Sequence, residues 1–447
     1  MNSQSIAAKA YAEPSSAATY AKVSLRLLPF LFLCYVCAYL NRINISFAKL
    51  TMMDDLAMSD TVYGLGASVF FIGYLMFEVP SNLILLKVGA RRWIARIMVT
   101  WGIISTAMMF VHTPMQFYVL RFLLGVAEAG FIPAILLYLT YWFPEGRRSK
   151  VTAFFLAAIP TAGLIGAPLS GWIMHEFAGV FGWAGWQWLY LWEGVPTFAI
   201  GLVAFFYLDD KIEHAKWLTQ EQKALISKDL ADDAAAKGGH ALHSIKDGLT
   251  NPRVLLLSFT YFFFTAGLYG VSFWLPTIIK ATGVDDPLNL GLLTAIPYGA
   301  AVVAMLLVGR SSDSSGERRW HLALAGIIGA CALAFSVMFA HNTLIAMIAL
   351  TIGTMGVMTT ISQFWVLPPA VLAGAAAAAG IAMANSIGSI SGVVIPYMIG
   401  GIQTATGNTG YGVLSLSVCM IIGSLLVFAN PAKLVNGRRK ASADRSQ

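Results

Sequence analysis

The sequence predicts an all-α membrane protein of twelve transmembrane helices, built as two six-helix bundles related by pseudo-two-fold symmetry. Three observations predict it. Hydrophobic residues make up 57% of the 447-residue chain and charged residues only 11%, against about 25% charged in a soluble domain, so the chain cannot cover a water-facing surface. The apolar residues fall into twelve runs of spanning length, which one long charged stretch divides six and six. The Lys and Arg residues gather on alternate loops.

A helix needs about 20 mostly apolar residues to cross a bilayer. The runs are 27–48, 62–86, 93–111, 115–142, 150–174, 187–208, 254–279, 288–309, 320–340, 343–367, 372–402 and 410–429. Pro133, Pro160, Pro168, Pro297 and Pro396 lie inside them; in a bundle within lipid they mark bends and close packing. The organisation expected is a cytoplasmic tail at 1–26, a first bundle at 27–208, a cytoplasmic linker at 209–253, a second bundle at 254–429 and a cytoplasmic tail at 430–447. Thr219 and Gln222 make a capping box for a short surface helix in the linker. Residues 1–24 are polar and lack the apolar core and cleavage site of a signal peptide.

An even number of spans puts both termini on one side. With that side in the cytoplasm, 25 of the 29 Lys and Arg fall on inner tails and loops, and only Lys49 and Lys280 stay at outer ends. Arg42 and Arg121 fall inside spans. The asymmetry orients the chain in the inner (plasma) membrane by the positive-inside rule. It also accounts for the net charge of +7 without nucleic acid as a partner.

The halves share a loop pattern. Lys87-Val-Gly-Ala-Arg-Arg-Trp93 joins spans two and three, and Val308-Gly-Arg-Ser-Ser-Asp-Ser-Ser-Gly-Glu-Arg-Arg-Trp320 joins spans eight and nine. Corresponding positions in two halves suggest a duplicated unit. Arg91, Arg92 and Asp313 of these loops, with Arg147 and Arg148, read as loop anchors or gates. Cys34, Cys37, Cys331 and Cys419 all lie in apolar runs, and the Cys34-x-x-Cys37 pair has no His or acid beside it. It reads as small apolar filler, so no metal and no cofactor is expected.

Several segments carry a resemblance: Tyr39-Leu-Asn-Arg-Ile-Asn-Ile-Ser46, Gly73-Tyr-Leu-Met-Phe-Glu-Val-Pro-Ser-Asn-Leu83, Gly89-Ala-Arg-Arg-Trp-Ile94, Arg121-Phe-Leu-Leu-Gly-Val-Ala-Glu-Ala-Gly-Phe-Ile-Pro133, Trp142-Phe-Pro144, Phe364-Trp365 and Asn385-Ser-Ile-Gly388. Together they resemble the major facilitator superfamily and, within it, the anion:cation symporter family, over nearly the whole chain. Gly89–Trp101 and Leu136–Pro144 are similar to the 4-hydroxyphenylacetate, phthalate and tartrate permeases. The resemblance implies a central cavity lined by spans 1, 4, 7 and 10, with the anion bound at Arg121. It also implies that Tyr39 and Tyr74 sit beside the anion and that Trp365 and Asn385, with Gln363 nearby, line the second half. A monomer is expected, with a small organic anion, a proton and the lipid bilayer as partners.

Ionisable groups at bilayer depth cost about 2.5–3.5 kcal/mol each on the insertion scale. Here they are Arg42, Arg121, Glu78, Glu128 and Glu193, all in the first half. Arg42 lies about fifteen residues into an outward span and Arg121 about six into an inward one, so both should reach one cavity in the outer third of the membrane. Two guanidiniums in a low-dielectric cavity repel each other and call for an anion, and Arg suits a carboxylate. The alternative, weighed below it, is that Glu128 serves both as structural glue. Glu128 follows Arg121 by two turns, about 10 Å deeper, too far for an unstrained direct pair.

Glu128 is the proton-carrier candidate, since His112, His175, His214, His240, His243, His321 and His341 all fall in loops or at span ends. A docked carboxylate cancels the field of the two Arg and favours protonation of Glu128; by linkage, protonation favours anion binding. Asn41, expected among the substrate-binding residues beside Arg42, stands where many family members have Asp and cannot carry a proton, which points to one proton per cycle and to a monocarboxylate. Glu78 reads as a gate pairing with Arg147 or Arg148, and Glu193 as interfacial. Span five, around Ile159, carries no amide in Phe154–Gly166, which suits an aromatic or other poorly hydroxylated acid over a sugar acid or tartrate-type hydroxydicarboxylate. Gly163-Leu-Ile-Gly-Ala-Pro-Leu-Ser-Gly171 partly resembles an efflux-antiporter motif and reads as close packing. An enzyme is disfavoured: there is no phosphate loop, and His175-Glu176 lacks the second His of a zinc motif. A sensor of the same fold would need a signalling domain, which neither tail supplies. An efflux antiporter remains the nearest rival.

Overall fold

The computed structural model describes residues 16–237, 251–368, 374–432 and 436. The tail at 1–15, the linker segment 238–250 with His240 and His243, the first residues of the run 372–402, and most of the C-terminal tail lie outside the described residues. Among the described residues there is no strand.

The first half comprises α1 (Ser16–Asp55), α2 (Asp60–Val88), α3 (Ala90–Ala107), α4 (Pro114–Glu128), α5 (Phe131–Thr140), α6 (Glu145–Leu156), α7 (Ala158–Glu176) and α8 (Gly185–Tyr207). A surface helix, α9 (Gln220–Lys237), follows, with the Thr219–Gln222 hydrogen bonds of a capping box at its start. The second half is α10 (Pro252–Lys280), α11 (Pro287–Ser315), α12 (Arg319–Met338), α13 (Thr343–Phe364), α14 (Gly374–Thr406) and α15 (Thr409–Phe428). Among the described residues, eleven helices are long and apolar enough to cross a membrane, α4 and α5 counting as one. The remaining span is the fifth, where α6 and α7 meet at Ala157. Its glycines, prolines and serine dilute the apolar character. Pro160 has no N–H for the Leu156 carbonyl, which accounts for the break.

Large apolar side chains project outward, among them Phe206 at 82% exposure and Leu344 at 72%. A water-soluble surface would not carry such a belt, and lipid accommodates it. The first helix starts earlier than its apolar run. Residues 16–26, expected as tail, form its opening turns, where Tyr20 and Val23 are buried and Tyr20 donates to Asp229 of α9 at 3.0 Å.

The duplication expected from the loops has a structural counterpart. Arg91 lies over the Phe205 ring at 5.4 Å and pairs with Asp210 at 3.6 Å, just past the end of α8. Arg319 lies over the Phe428 ring at 5.4 Å and donates to the Asn430 carbonyl at 3.3 Å, just past the end of α15. Each Arg-Arg-Trp loop therefore docks on the last helix of its own half. The helix pairs joining the halves also match. Gly171 of α7 meets Gly291 of α11, and Gly64 of α2 meets Gly400 of α14, with no room for a side chain at either crossing. Glycines let two backbones approach this closely. Gly163 also abuts the Tyr298 ring and Gly166 abuts Leu40, so these glycines serve packing.

Most of the polar links between halves lie at the end away from the described termini. Thr61 bonds Thr404 at 2.8 Å, Tyr63 donates to the Phe273 carbonyl at 2.9 Å, and His175 contacts Asp286 at 2.8 Å. Lys49, read from the sequence as an outer-end residue, is buried within α1. It pairs with Asp60 at 2.7 Å and lies over the Trp274 ring at 3.5 Å.

Candidate functional site

The site begins with a break in the fourth span. After Glu128 the chain leaves the helix at Ala129, and Gly130 takes a left-handed φ of 88°, which glycine adopts without strain. Pro133 has no N–H for the Ala129 carbonyl, and the Ser81 hydroxyl donates to that carbonyl at 2.5 Å instead. The Trp93 indole in turn donates to Ser81 at 2.9 Å. The carboxyl-bearing end of α4 is thus held by α2 and α3.

Gly66 and Gly73 of α2 and Gly125 of α4 leave no room for side chains, which draws these helices together around Phe70. Arg42 of α1 and Arg121 of α4 both stand over that ring, at 5.7 and 4.9 Å. The two guanidiniums therefore share one aromatic platform, as cations do over a ring's negative face. Arg42 pairs directly with Glu128 and is also within 6 Å of the Tyr39 and Tyr74 rings. Arg121, fully buried, donates through Nε to the Gly66 carbonyl at 3.3 Å; its Nη1 and Nη2 have no hydrogen-bond partner among the described residues. Glu128, 2% exposed, likewise keeps Oε2 without one.

Tyr39 exchanges a hydrogen bond with Ser272 of α10 at 3.1 Å, tying the side of the first half that carries the two guanidiniums to the second half. Tyr269 stacks obliquely on Phe71 at 4.5 Å and lies within electrostatic reach of Arg42, Tyr39 and Glu78. Tyr261, Phe364 and Trp365 form an aromatic group at the α10–α13 contact, with centroids 4.5 to 5.4 Å apart. Gln363 is buried, and its amide nitrogen faces Gly309 of α11.

The structure brings Arg42, Arg121, Glu128, Tyr39 and Tyr74 together. It does not bring Asn41 to them. Asn41 faces into the first half, donating to the Cys37 carbonyl at 2.8 Å, the Glu193 carbonyl at 3.2 Å and Thr197 at 2.7 Å, while Ser105 donates to its oxygen. Both its N–H groups and its oxygen are engaged there.

The pairing of Glu78 with Arg147 or Arg148 needs correction. Glu78 accepts a hydrogen bond from Asn385 at 3.1 Å, across the halves. Its position on α2 turns it toward α14. Arg147 instead bonds Ser16 and stands over Tyr20, and Arg148 bonds the Phe143 carbonyl. The interfacial reading of Glu193 is also overturned: it is 4% exposed and accepts from Ser170 at 2.9 Å. Arg91 is anchored as described above, whereas Arg92 and Asp313 are exposed.

Sequence reasoning missed Phe70, Tyr269, Lys49 and Glu193's burial. An aromatic in an apolar run carries no mark of facing a cation. Lys49 and Glu193 stand near the edges of apolar runs, where the sequence carries no mark of their burial.

Comparison with known proteins agrees with this architecture. Residues 31–396 match the Major Facilitator Superfamily. A Pseudomonas putida protein named "Putative metabolite transport protein NicT" is 46% identical over 94% of this chain and 96% of its own length. An Agrobacterium vitis "Putative tartrate transporter" is 48% identical over 91% of this chain and 93% of its own. A "Quinolone resistance transporter" of Acinetobacter baumannii is 41% identical over 92% and 94%. In fold, the chain is similar to the partially occluded inward-open xylose transporter XylE from E. coli, with a TM-score of 0.71 at 13% identity over 91% of this chain and 98% of that one. The matched family and these relatives are transporters, not enzymes, and a multi-pass membrane protein carrying small molecules accords with every feature above. This chain belongs to the Major Facilitator Superfamily.

Proposed function

We propose that the chain imports a small organic carboxylate together with a proton by alternating access, acting as a monomer in the inner membrane with both termini cytoplasmic. One observation carries the reading. Two buried guanidiniums share the Phe70 platform, and only Arg42 has a carboxylate partner, while the outer nitrogens of Arg121 have none. A buried charge without a partner is costly, and a carboxylate presents the oxygen pair that a guanidinium fork takes up.

The coupling follows from the same geometry. A substrate carboxylate landing on Arg121 also attracts Arg42 and competes with Glu128 for it. Glu128 then becomes a buried anion losing its cation, and proton uptake at Oε2 relieves that. Protonation first has the converse effect, freeing Arg42 to bind the anion. The two events favour each other by the same factor. The Glu78–Asn385 contact and the links at the opposite end are the interactions that rocking of one half on the other makes and breaks.

The aromatic surround of Tyr39, Tyr74, Tyr261 and Trp365 suits an aromatic or other monocarboxylate. A hydroxydicarboxylate is the second reading, favoured by the tartrate transporters among the relatives. The quinolone-resistance relative keeps an efflux antiporter in view. Uptake into proteoliposomes from a panel of aromatic acids, sugar acids and tartrate distinguishes them. Glu128→Gln is expected to abolish accumulation driven by a pH gradient and to retain substrate counterflow. If that variant still concentrates substrate, Glu128 is not the proton carrier.

A further inference from the structure

Beside the anion site, inside the first half, lies a second group of buried polar atoms that this mechanism does not use. Glu193 of α8 accepts from Ser170 through Oε1, and its Oε2 has no hydrogen-bond partner among the described residues. Tyr190, one turn earlier on the same face, has an unpartnered hydroxyl and is 1% exposed. Asn44 of α1, also 1% exposed, has its amide beside the Glu193 carboxyl, within reach of a side-chain hydrogen bond. Tyr190 is within electrostatic reach of both Arg121 and Glu193. Tyr190 thus links the neighbourhood of Arg121, with its two unpartnered nitrogens, to that of the Glu193 carboxyl.

We propose that Glu193 is a second proton-exchanging group, connected to Arg121 through Tyr190 and Asn44. Three features support it. Buried polar atoms are nearly always hydrogen-bonded to protein or water, so the unpartnered Glu193 Oε2 and Tyr190 hydroxyl, one turn apart, mark room for water rather than a packed core. No cation pairs with Glu193 among the described residues. The titratable groups facing it are Cys37 of α1 and Tyr190 of its own helix, while α7 offers only the Ser170 hydroxyl. A buried carboxylate without a cation is costly, so Glu193 calls for a proton or a polar partner at Oε2. Finally, an amide serves both protonation states: Asn44 Nδ2 can donate to a carboxylate Oε2, and Asn44 Oδ1 can accept from the protonated Oε2–H. In the step itself one O–H bond forms at Oε2 with a proton drawn from water on the open side, and it breaks again when the pocket opens to the other side.

The inference deepens the symport reading and rests on it for transport, but the protonation of Glu193 is measurable without substrate. With Glu128 and Glu193 both carrying protons, a dicarboxylate crosses without net charge, whereas a single proton leaves one negative charge moving against about 2.3 kcal/mol per 100 mV.

The test is a pH titration of the full-length protein in detergent by infrared difference spectroscopy, reading the carbonyl stretch of protonated carboxyl groups. A band is expected in the wild type, retained in Glu128→Gln, lost in Glu193→Gln and displaced in Glu193→Asp. In Tyr190→Phe, which removes the hydroxyl within electrostatic reach of Glu193, the band should be displaced. A Glu193→Gln spectrum identical to the wild type overturns the proposal, as does a Glu193 band indifferent to Tyr190→Phe. Should Glu193→Gln fail to fold, the Glu193→Asp displacement decides alone. A failed Glu128→Gln transport test together with a titrating Glu193 band would sink the symport reading and leave this assignment standing.

Discussion

Arg121 holds the anion in this account, and its nitrogens work as a planar fork. Arg121→Lys keeps the charge and removes the fork. The expected result is a Kd about tenfold to hundredfold higher, which corresponds to about 1.4–2.8 kcal/mol, measured by substrate-induced tryptophan quenching. Asn41 makes the contrasting prediction. Its contacts all lie within the first half, so Asn41→Leu leaves Ser105 and Thr197 without their partner and should cost about 1–3 kcal/mol of stability. A thermal melt should report that loss while substrate affinity stays unchanged; a weakened affinity at unchanged stability would return Asn41 to the binding site. The residues legible in the sequence were those whose charge is out of place in an apolar run, namely Arg42, Arg121 and Glu128. Their partners were less legible, because Phe70 looks like any core aromatic and only the spacing of Gly66, Gly73 and Gly125 brings it under both guanidiniums.

At the scale of the helix, the places of the spans were readable from the apolar runs, while the breaks were not. Pro133 and Pro160 each remove an N–H in mid-span, but whether a helix bends or parts there depends on what takes the orphaned carbonyl, and at Ala129 that is Ser81 from another helix. The extension of α1 through Asp55 was hidden because Lys49 ended the apolar run; its ammonium is accepted in the interior only because Asp60 and Trp274 receive it. Glycine crossings make a further prediction. Gly64 meets the Pro396 backbone, so Gly64→Val should hold the α2–α14 contact apart. A cysteine introduced at Thr404 should then react faster with a membrane-impermeant maleimide than in the Gly64 background. Equal rates would mean that this crossing does not govern closure.

For the whole molecule, the two halves are alike in framework and unlike in chemistry. Both dock an Arg-Arg-Trp loop on their last helix, yet among the described residues the buried charges all belong to the first half and the second supplies aromatic and amide groups. This asymmetry gives the first half the ions to bind and the second a neutral surface to close over them. The charge pattern also predicts orientation: green fluorescent protein fused at either end should fluoresce, and a dark fusion at one end would contradict an even number of spans. The central claim, that anion binding and protonation of Glu128 are one coupled event, is tested most directly by substrate affinity measured as a function of pH. Affinity should strengthen as pH falls in the wild type and become independent of pH in Glu128→Gln. An unchanged pH dependence in that variant would contradict the account.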